Sequence, residues 1–394
     1  MGTFNRRSFL AGAGASVAVS PLAFPAIAQT RPIPVGACLE FSGGLELFGN
    51  QAKIGLDLAA AEINASGGIL GRSVEILYRD NKTDPKTAAE RTRELIQLDQ
   101  ALAVVGPITS SARNAMQPAI EGLKTPLLYA TNYEGADNGA GCGRYLFFFN
   151  TVPNQDTAPL IPWLAARGVG TRYYAFGQNY VWPRNMFQAA KPMITQVKGT
   201  LLAEEYTPAG QTNFTPVIRK IADSGADVLL FALPGADGIT FIKQAEEFGL
   251  MKKVTVAFLG FSETYLGAFG TGKGENMYTG VPFVASDPDA GVQDFVARVR
   301  KQAGPDVGIS HYVFAHYNAL MALKRGVEKS GKLDREGAVD GMAGLSMSIA
   351  TGTASITQGD HHTAMQMYIA KTENGSLRVV EKLGVIQPLS GCRA

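Results

Sequence analysis

The chain reads as an α/β protein of two doubly wound parallel-sheet lobes joined by a hinge of several strands. Three observations say so. Its 394 residues exceed one compact core and suit two lobes plus an appendage. From Ile33 onward, short apolar runs alternate with stretches of helical period, the pattern of strands joined by crossover helices. That alternation runs down near residue 150 and restarts after Pro153.

In the first series, Ile33–Leu39 reads as strand and Asn50–Ala65 as helix, with Ile54, Leu58 and Ala61 on one face. Val74–Tyr78 is strand. Asp84 then caps a helix reaching Leu98, with Pro85 at the favoured first position. Leu102–Val105 is strand, Ser110–Leu123 helix and Pro126–Tyr129 strand. The second series runs from helix Gln155–Ala166 through strand Arg172–Phe176, helix Pro183–Gln196, strand Thr200–Tyr206 and helix Thr215–Asp223. Strand Asp227–Ala232, helix Gly235–Phe248 and strand Val254–Leu259 complete it. Met277–Val281 reads as a strand returning toward the first lobe, ahead of helices Ala290–Gln302 and Tyr312–Ser330. Asn374-Gly375 between Ala364–Lys371 and Leu377–Lys382 is the strongest short hairpin signal. The expected division is residues 32–150 with 282–350 in lobe one, and 151–281 with 351–394 in lobe two.

Charge narrows the function. Charged residues make up 18%, below the ~25% of typical soluble domains, which argues against disorder. The 36 basic residues less Arg6 and Arg7, the only charges in the first 28 positions, leave 34 against 34 acidic. A mature chain of zero net charge without basic runs has no electrostatic case for nucleic acid or anionic lipid. Asn5-Arg6-Arg7-Ser8-Phe9-Leu10, a short apolar stretch to Phe24 and the small-residue end Ala26-Ile27-Ala28 describe an export signal cut after Ala28. The adjacent arginines resemble the twin-arginine type. Gly12, Gly14 and Pro21 interrupt a run already shorter than the ~20 residues of a membrane span. Cys38 belongs to the buried first strand rather than to an acylation site. Cys142 and Cys392 are the pair to expect if two of the three cysteines join, although spacing does not settle connectivity.

In open α/β sheets ligands bind beyond the carboxyl ends of the strands, so the loops there carry the candidates. Gly106-Pro107-Ile108-Thr109-Ser110-Ser111 brings hydroxyls and helix-start amides suited to a carboxylate or carbonyl oxygen, or else ordinary helix capping. Thr131-Asn132-Tyr133-Glu134-Gly135 brings a hydroxyl, a carboxamide, a phenol and a carboxylate to the same end. In lobe two, Tyr180 and Trp182 precede Pro183 at a helix start, placed to close over a small ligand or to pack in the core. Asp237 and Glu263 are candidate acceptors for a ligand ammonium or amide N–H, or equally a helix cap and a solvated charge.

Enzyme motifs are missing from the sequence. There is no Gly-x-Ser-x-Gly elbow and no His-Glu-x-x-His pair. Gly267 to Lys273 fits Gly-x-x-x-x-Gly-Lys, but Gly274 stands where a phosphate loop needs Ser or Thr. His311 and His316 are five apart, off the spacing that shares one helical face, and His361-His362 point apart if extended, so no metal or cofactor is expected.

Glu40-Phe41-Ser42-Gly43, Glu62-Ile63-Asn64 with Gly67-Gly68, and Gly106-Pro107 with Ser110-Ser111 resemble the type I periplasmic solute-binding proteins of ABC importers, in the leucine/isoleucine/valine-binding branch. The likeness runs from about residue 32 to 390. Tyr133-Glu134-Gly135, Asn179-Tyr180-Val181-Trp182-Pro183-Arg184 and Asp360-His361-His362 resemble the amide- and urea-binding subgroup. The resemblance implies ligand contacts at Ser110, Thr131, Tyr180 and Trp182, with Phe48 covering the ligand from lobe one; Ser111 and Tyr133 join the candidate set. Ile108 departs from the aromatic residue usual in that subgroup, and Trp182 replaces a more usual Tyr or Phe. Amino-acid binders hold the ammonium with an acid after the Leu-Gly step, and here Glu263 comes one residue late. The resemblance thus implies a periplasmic receptor that captures a branched-chain amino acid, short amide or urea for an inner-membrane permease, without inserting in the membrane itself. An exported amidase or a ligand sensor is the competing expectation.

Overall fold

In the computed structural model, the residues described are Met1, 31–135 and 141–392. The expected leader and its cleavage point lie outside them.

Lobe one is built from β1 (Ile33–Leu39), α1 (Glu46–Ala65), β2 (Val74–Asp80), α2 (Pro85–Gln97), β3 (Val104–Val105), α3 (Ser110–Gly122), β4 (Leu127–Tyr129) and β5 (Leu146–Phe148). Its sheet has the order β2-β1-β3-β4-β5, all parallel. Cys38 is fully buried in β1, and burial pushes its thiol up to about 12, as a core position demands. Asp84 caps α2, its carboxylate accepting from Thr87 N–H at 2.7 Å with Pro85 in the first turn, as its sequence suggests.

Lobe two follows with α4 (Pro153–Ala166), β6 (Arg172–Gln178), α5 (Val181–Gln196), β7 (Thr200–Thr207), α6 (Thr215–Asp223), β8 (Val228–Ala232), α7 (Gly235–Glu247), β9 (Thr255–Phe258), α8 (Thr264–Phe269) and β10 (Met277–Val281). The parallel strands again run β7-β6-β8-β9-β10, so both lobes share one winding order and each has a switch point beside its first strand. The core between sheet and helices is aromatic, with Phe176, Phe231 and Phe241 in mutual ring contact.

The chain then returns to lobe one for α9 (Ala290–Ala303), α10 (His311–Ser330) and α11 (Arg335–Met342), α9 and α10 packing on α1 and α11 on α10. It crosses once more into β11 (Ser346–Ile349), β12 (Gly352–Ile356), β13 (Thr363–Glu373) and β14 (Ser376–Ile386). These four extend the second sheet beyond β10 through antiparallel pairing.

Several expectations are adjusted by this topology. Met277–Val281 does not return toward lobe one; it pairs β9 and β13 inside the second sheet, because its apolar side chains complete that core. The short strand β5 escapes sequence reading since three residues show no period. The β13–β14 hairpin forms as Asn374-Gly375 requires, both residues at positive φ (53° and 67°), the primed-turn geometry. Cys142 and Cys392 form a disulfide. Asp360-His361-His362 meets the free edge of β5: Phe148 N–H donates to His361 O at 2.9 Å, and the two imidazoles stack on Phe147 and Phe148 with centroids 4.1 Å apart in each pair.

Candidate functional site

The loops at the two switch points face one another. Leu45 and Phe48 come from the segment after β1, Ile108 to Ser110 from that after β3, and Thr131 with Asn132 from that after β4. From the other lobe come Tyr180 and Trp182 after β6, Pro234 after β8 and Gly260 after β9. Tyr312, in the first turn of α10, completes the lining. Together they enclose a cavity of about 20 Å³, room for roughly one water. A second hollow of about 210 Å³ leads off it, walled by Thr83, Thr109 and Ser111 on one side and Gln178, Asn179 and Tyr180 on the other.

Lobe one supplies a tightly bonded wall. Thr109, not Ser110, is the N-cap of α3, its hydroxyl accepting from Ala112 N–H at 3.3 Å. Ser110 is thereby free for other work, and its hydroxyl donates to Glu134 Oε2 at 2.6 Å. Glu134 in turn is paired with Arg113 at 3.2 Å, both side chains essentially without solvent contact. Arg113 lies over the rings of Tyr129 and Tyr133, 5.1 and 4.4 Å from their centroids. Glu40 is wholly buried and accepts from Ile108 and Thr109 N–H at 2.8 and 3.2 Å; burial nevertheless dominates and pushes its carboxyl up to about 7. Thr131 donates to Pro107 O at 3.4 Å, and Tyr312 OH donates to Asn132 Oδ1 at 3.0 Å.

Lobe two supplies aromatic cover. Tyr180 is the N-cap of α5 with no side-chain cap of its own, and its ring lies 6.3 Å from that of Trp182. Trp182 is 6% exposed and its Nε1–H has no partner. Gly260, at φ 69°, forms the floor: a Cβ there would stand 3.1 Å from Asn132 Nδ2 and 3.3 Å from the Trp182 ring. Phe48 crosses to this lobe, edge-on to Tyr265 at 5.7 Å, and also meets Tyr312 at 4.8 Å.

Of the nine candidates, Phe48, Ser110, Thr131, Tyr180 and Trp182 line the enclosed cavity and Ser111 lines the adjoining hollow. Three stand elsewhere. Tyr133 is fully buried beneath the wall, hydrogen-bonded to His362 and stacked on Phe148. Asp237 accepts from Gln178 Nε2 and Gly210 N–H, tying a lobe-two loop to the first turn of α7. Glu263 accepts from Ala285 N–H at 3.3 Å and lines a separate hollow of about 420 Å³ with Arg300 and Leu377. Asn132 and Tyr312 were not singled out as contacts in the sequence. Asn132 lies in the loop after β4, but only the bond from Tyr312 shows which way its amide faces; Tyr312 begins a helix distant in sequence.

Two lobes of one winding order, closing switch point on switch point around a shared cavity, define a solute-binding protein. The chain belongs to the periplasmic binding protein family, which matches residues 32–376. Leu/Ile/Val-binding protein homolog 3 of Brucella melitensis is 21% identical over 355 residues, covering 89% of this chain and 94% of that protein. Leu/Ile/Val-binding protein BraC3 of Rhizobium johnstonii is 22% identical over 373 residues, covering 92% and 97%. Among solved structures, a solute-binding protein of an R. palustris ABC transporter in complex with benzoate superposes with a TM-score of 0.82 at 20% identity, covering 92% of this chain and 100% of that one. The branched-chain amino acid transporter substrate-binding protein of Streptococcus pneumoniae, in complex with isoleucine, gives 0.79 at 23% identity, covering 91% and 100%. At these identities the structures share the fold. No described helix is long and apolar enough to cross a membrane.

Proposed function

We propose that the chain is the extracytoplasmic receptor of an ABC importer, exported by its twin-arginine-type leader. It closes its lobes over one small oxygen-bearing solute and presents the closed form to an inner-membrane permease. The observation that carries this reading is a cavity lined from both lobes, with aromatic cover on one side and hydrogen-bonded hydroxyls on the other. Such a site acts by holding a closed state more tightly than an open one, and it makes or breaks no bond. The ligands carried by the similar structures, isoleucine in one and benzoate in another, bracket the chemistry to test alongside short amides and urea.

The test is thermal unfolding of the chain beginning after Ala28, against branched-chain amino acids, benzoates, short amides and urea. A ligand at a hundred times its dissociation constant stabilises by ~2.7 kcal/mol and raises the melting temperature by a few degrees. Tyr180→Ala should abolish the rise while leaving the unliganded melting temperature within about 3 °C. A rise that persists undiminished in Tyr180→Ala and in Ser110→Ala would remove the ligand from this cleft.

A further inference from the structure

The cavity lining carries two buried donors without partners. Trp182 and Asn132 are 6% and 5% exposed, yet Nε1–H of the first and Nδ2–H of the second have no partner. Leaving buried donors unpaired is costly, so a cavity whose lining residues carry two of them implies an acceptor to come. The Asn132 amide lies close to the indole: a single point above Gly260 is 3.1 Å from Asn132 Nδ2 and 3.3 Å from Cζ2 and Cη2 on the benzo edge of Trp182. The Asn132 amide is oriented by Tyr312, whose hydroxyl donates to Oδ1, and its Nδ2 lies beside Gly260 in the cavity lining.

Helix geometry adds the same sign. Tyr180 and Pro234 are the N-caps of α5 and α7, neither with a side-chain cap, and Ser110 opens α3. All three residues line the cavity, so three positive helix ends converge on it. Among the described residues no carboxylate lines it. Glu40 and Glu134 are held within lobe one by the bonds described above, and Asp237 by Gln178 and Gly210. An ammonium group entering here would meet positive helix ends and neutral hydroxyls, and no carboxylate among the described lining residues to pair its charge.

Resting on the cleft as the ligand site, we propose that it selects a carboxylate that carries no ammonium, borne on an apolar or aromatic body, and that Trp182 Nε1–H and Asn132 Nδ2–H hold the carboxylate oxygens. The closed cavity has room for about one water, so the body enters as the lobes part, between the aromatic walls of Phe48, Tyr180 and Tyr312.

The protein provides its own reporter, because it has only two tryptophans, Trp163 and Trp182. Trp163 packs against Tyr278 within lobe two, its Nε1–H on Glu381, and does not line the cavity. Trp163→Phe therefore leaves emission from Trp182 alone. The probes are benzoate, benzamide, 4-methylpentanoate and leucine, the last differing from 4-methylpentanoate only by its ammonium. Expected is saturable change in Trp182 emission with a carboxylate, with leucine and benzamide at least about tenfold weaker than their carboxylate counterparts. By calorimetry, Trp182→Phe should weaken carboxylate binding about tenfold, and Asn132→Asp should reverse the preference toward leucine, with melting temperatures recorded to verify folding. Leucine outbinding 4-methylpentanoate, benzamide outbinding benzoate, or no probe binding at all overturns the proposal. Changed Trp182 emission with undiminished affinity in both variants defeats the donor assignment alone. Binding that neither moves Trp182 emission nor responds to Tyr180→Ala defeats the cleft reading beneath it.

Discussion

On the lobe-one side of the cleft all but one of these polar groups are spoken for inside their own lobe: Ser110 by Glu134, Glu134 by Arg113, Thr131 by Pro107 and Asn132 Oδ1 by Tyr312, with Asn132 Nδ2 left over. On the lobe-two side, Tyr180 and Trp182 are in ring contact, and the indole N–H meets nothing. Direct bonds between the walls are few, among them Ala236 N–H to Gly44 O at 3.2 Å. The difference separates two tasks. Lobe one holds a half-site whose geometry is fixed by its own folding, whereas lobe two carries the surface whose groups find partners only when something lies between the lobes.

The sharpest way to break this contrast is Arg113→Met. It strands Glu134 as a buried charge without its partner, which should cost about 3–5 kcal/mol of stability, read as a lower urea midpoint. A loss under about 1 kcal/mol would mean that the lobe-one wall is not held by this pair.

Proton linkage tests the same wall more gently. Glu40 is raised from its ordinary 4.5 to about 7 by burial, and Glu263 to about 8. Between the ordinary and raised values the folded chain keeps protons that the unfolded chain has lost, so stability falls as pH rises through that window. His311 and His316 are lowered from 6.5 to about 3 and about 4 by burial, and they act in the opposite direction, costing stability as pH falls below 6.5. Unfolding in denaturant from pH 6.5 to 8 should therefore show declining stability, and Glu40→Gln should flatten the decline. An unchanged slope in that variant would place the titration elsewhere.

The smallest effect belongs to Asp237→Asn. Its oxygens serve Gln178 and Gly210 within lobe two, so the substitution should change stability by no more than about 0.5 kcal/mol and leave the affinity of any cleft ligand unaltered. A tenfold loss of affinity would restore Asp237 as a ligand acceptor.

Much of the fold could be read from the chain because its signals are local. Asp84-Pro85 starts a helix, Asn374-Gly375 makes a turn, and apolar runs alternate with helical stretches through both lobes. The loops that line the cleft were legible for the same reason, since they follow strand ends. What the chain hid is what depends on distant partners. Neither Asp237 nor Glu263 announces which backbone N–H it will accept from, and the Thr109 cap that frees Ser110 differs from its neighbour by a single methyl. Tyr133 looks like a loop residue until His362, more than two hundred positions later, stacks beneath it.

The disulfide between Cys142 and Cys392 imposes an order on the making of the molecule. Its cysteines stand 250 positions apart, and the bond cannot close until residue 392 has been synthesised. Every strand of the second sheet precedes that moment. The first thiol therefore waits through the 250 residues of chain growth that follow it, and the bond can only fasten together parts whose sequence is already complete.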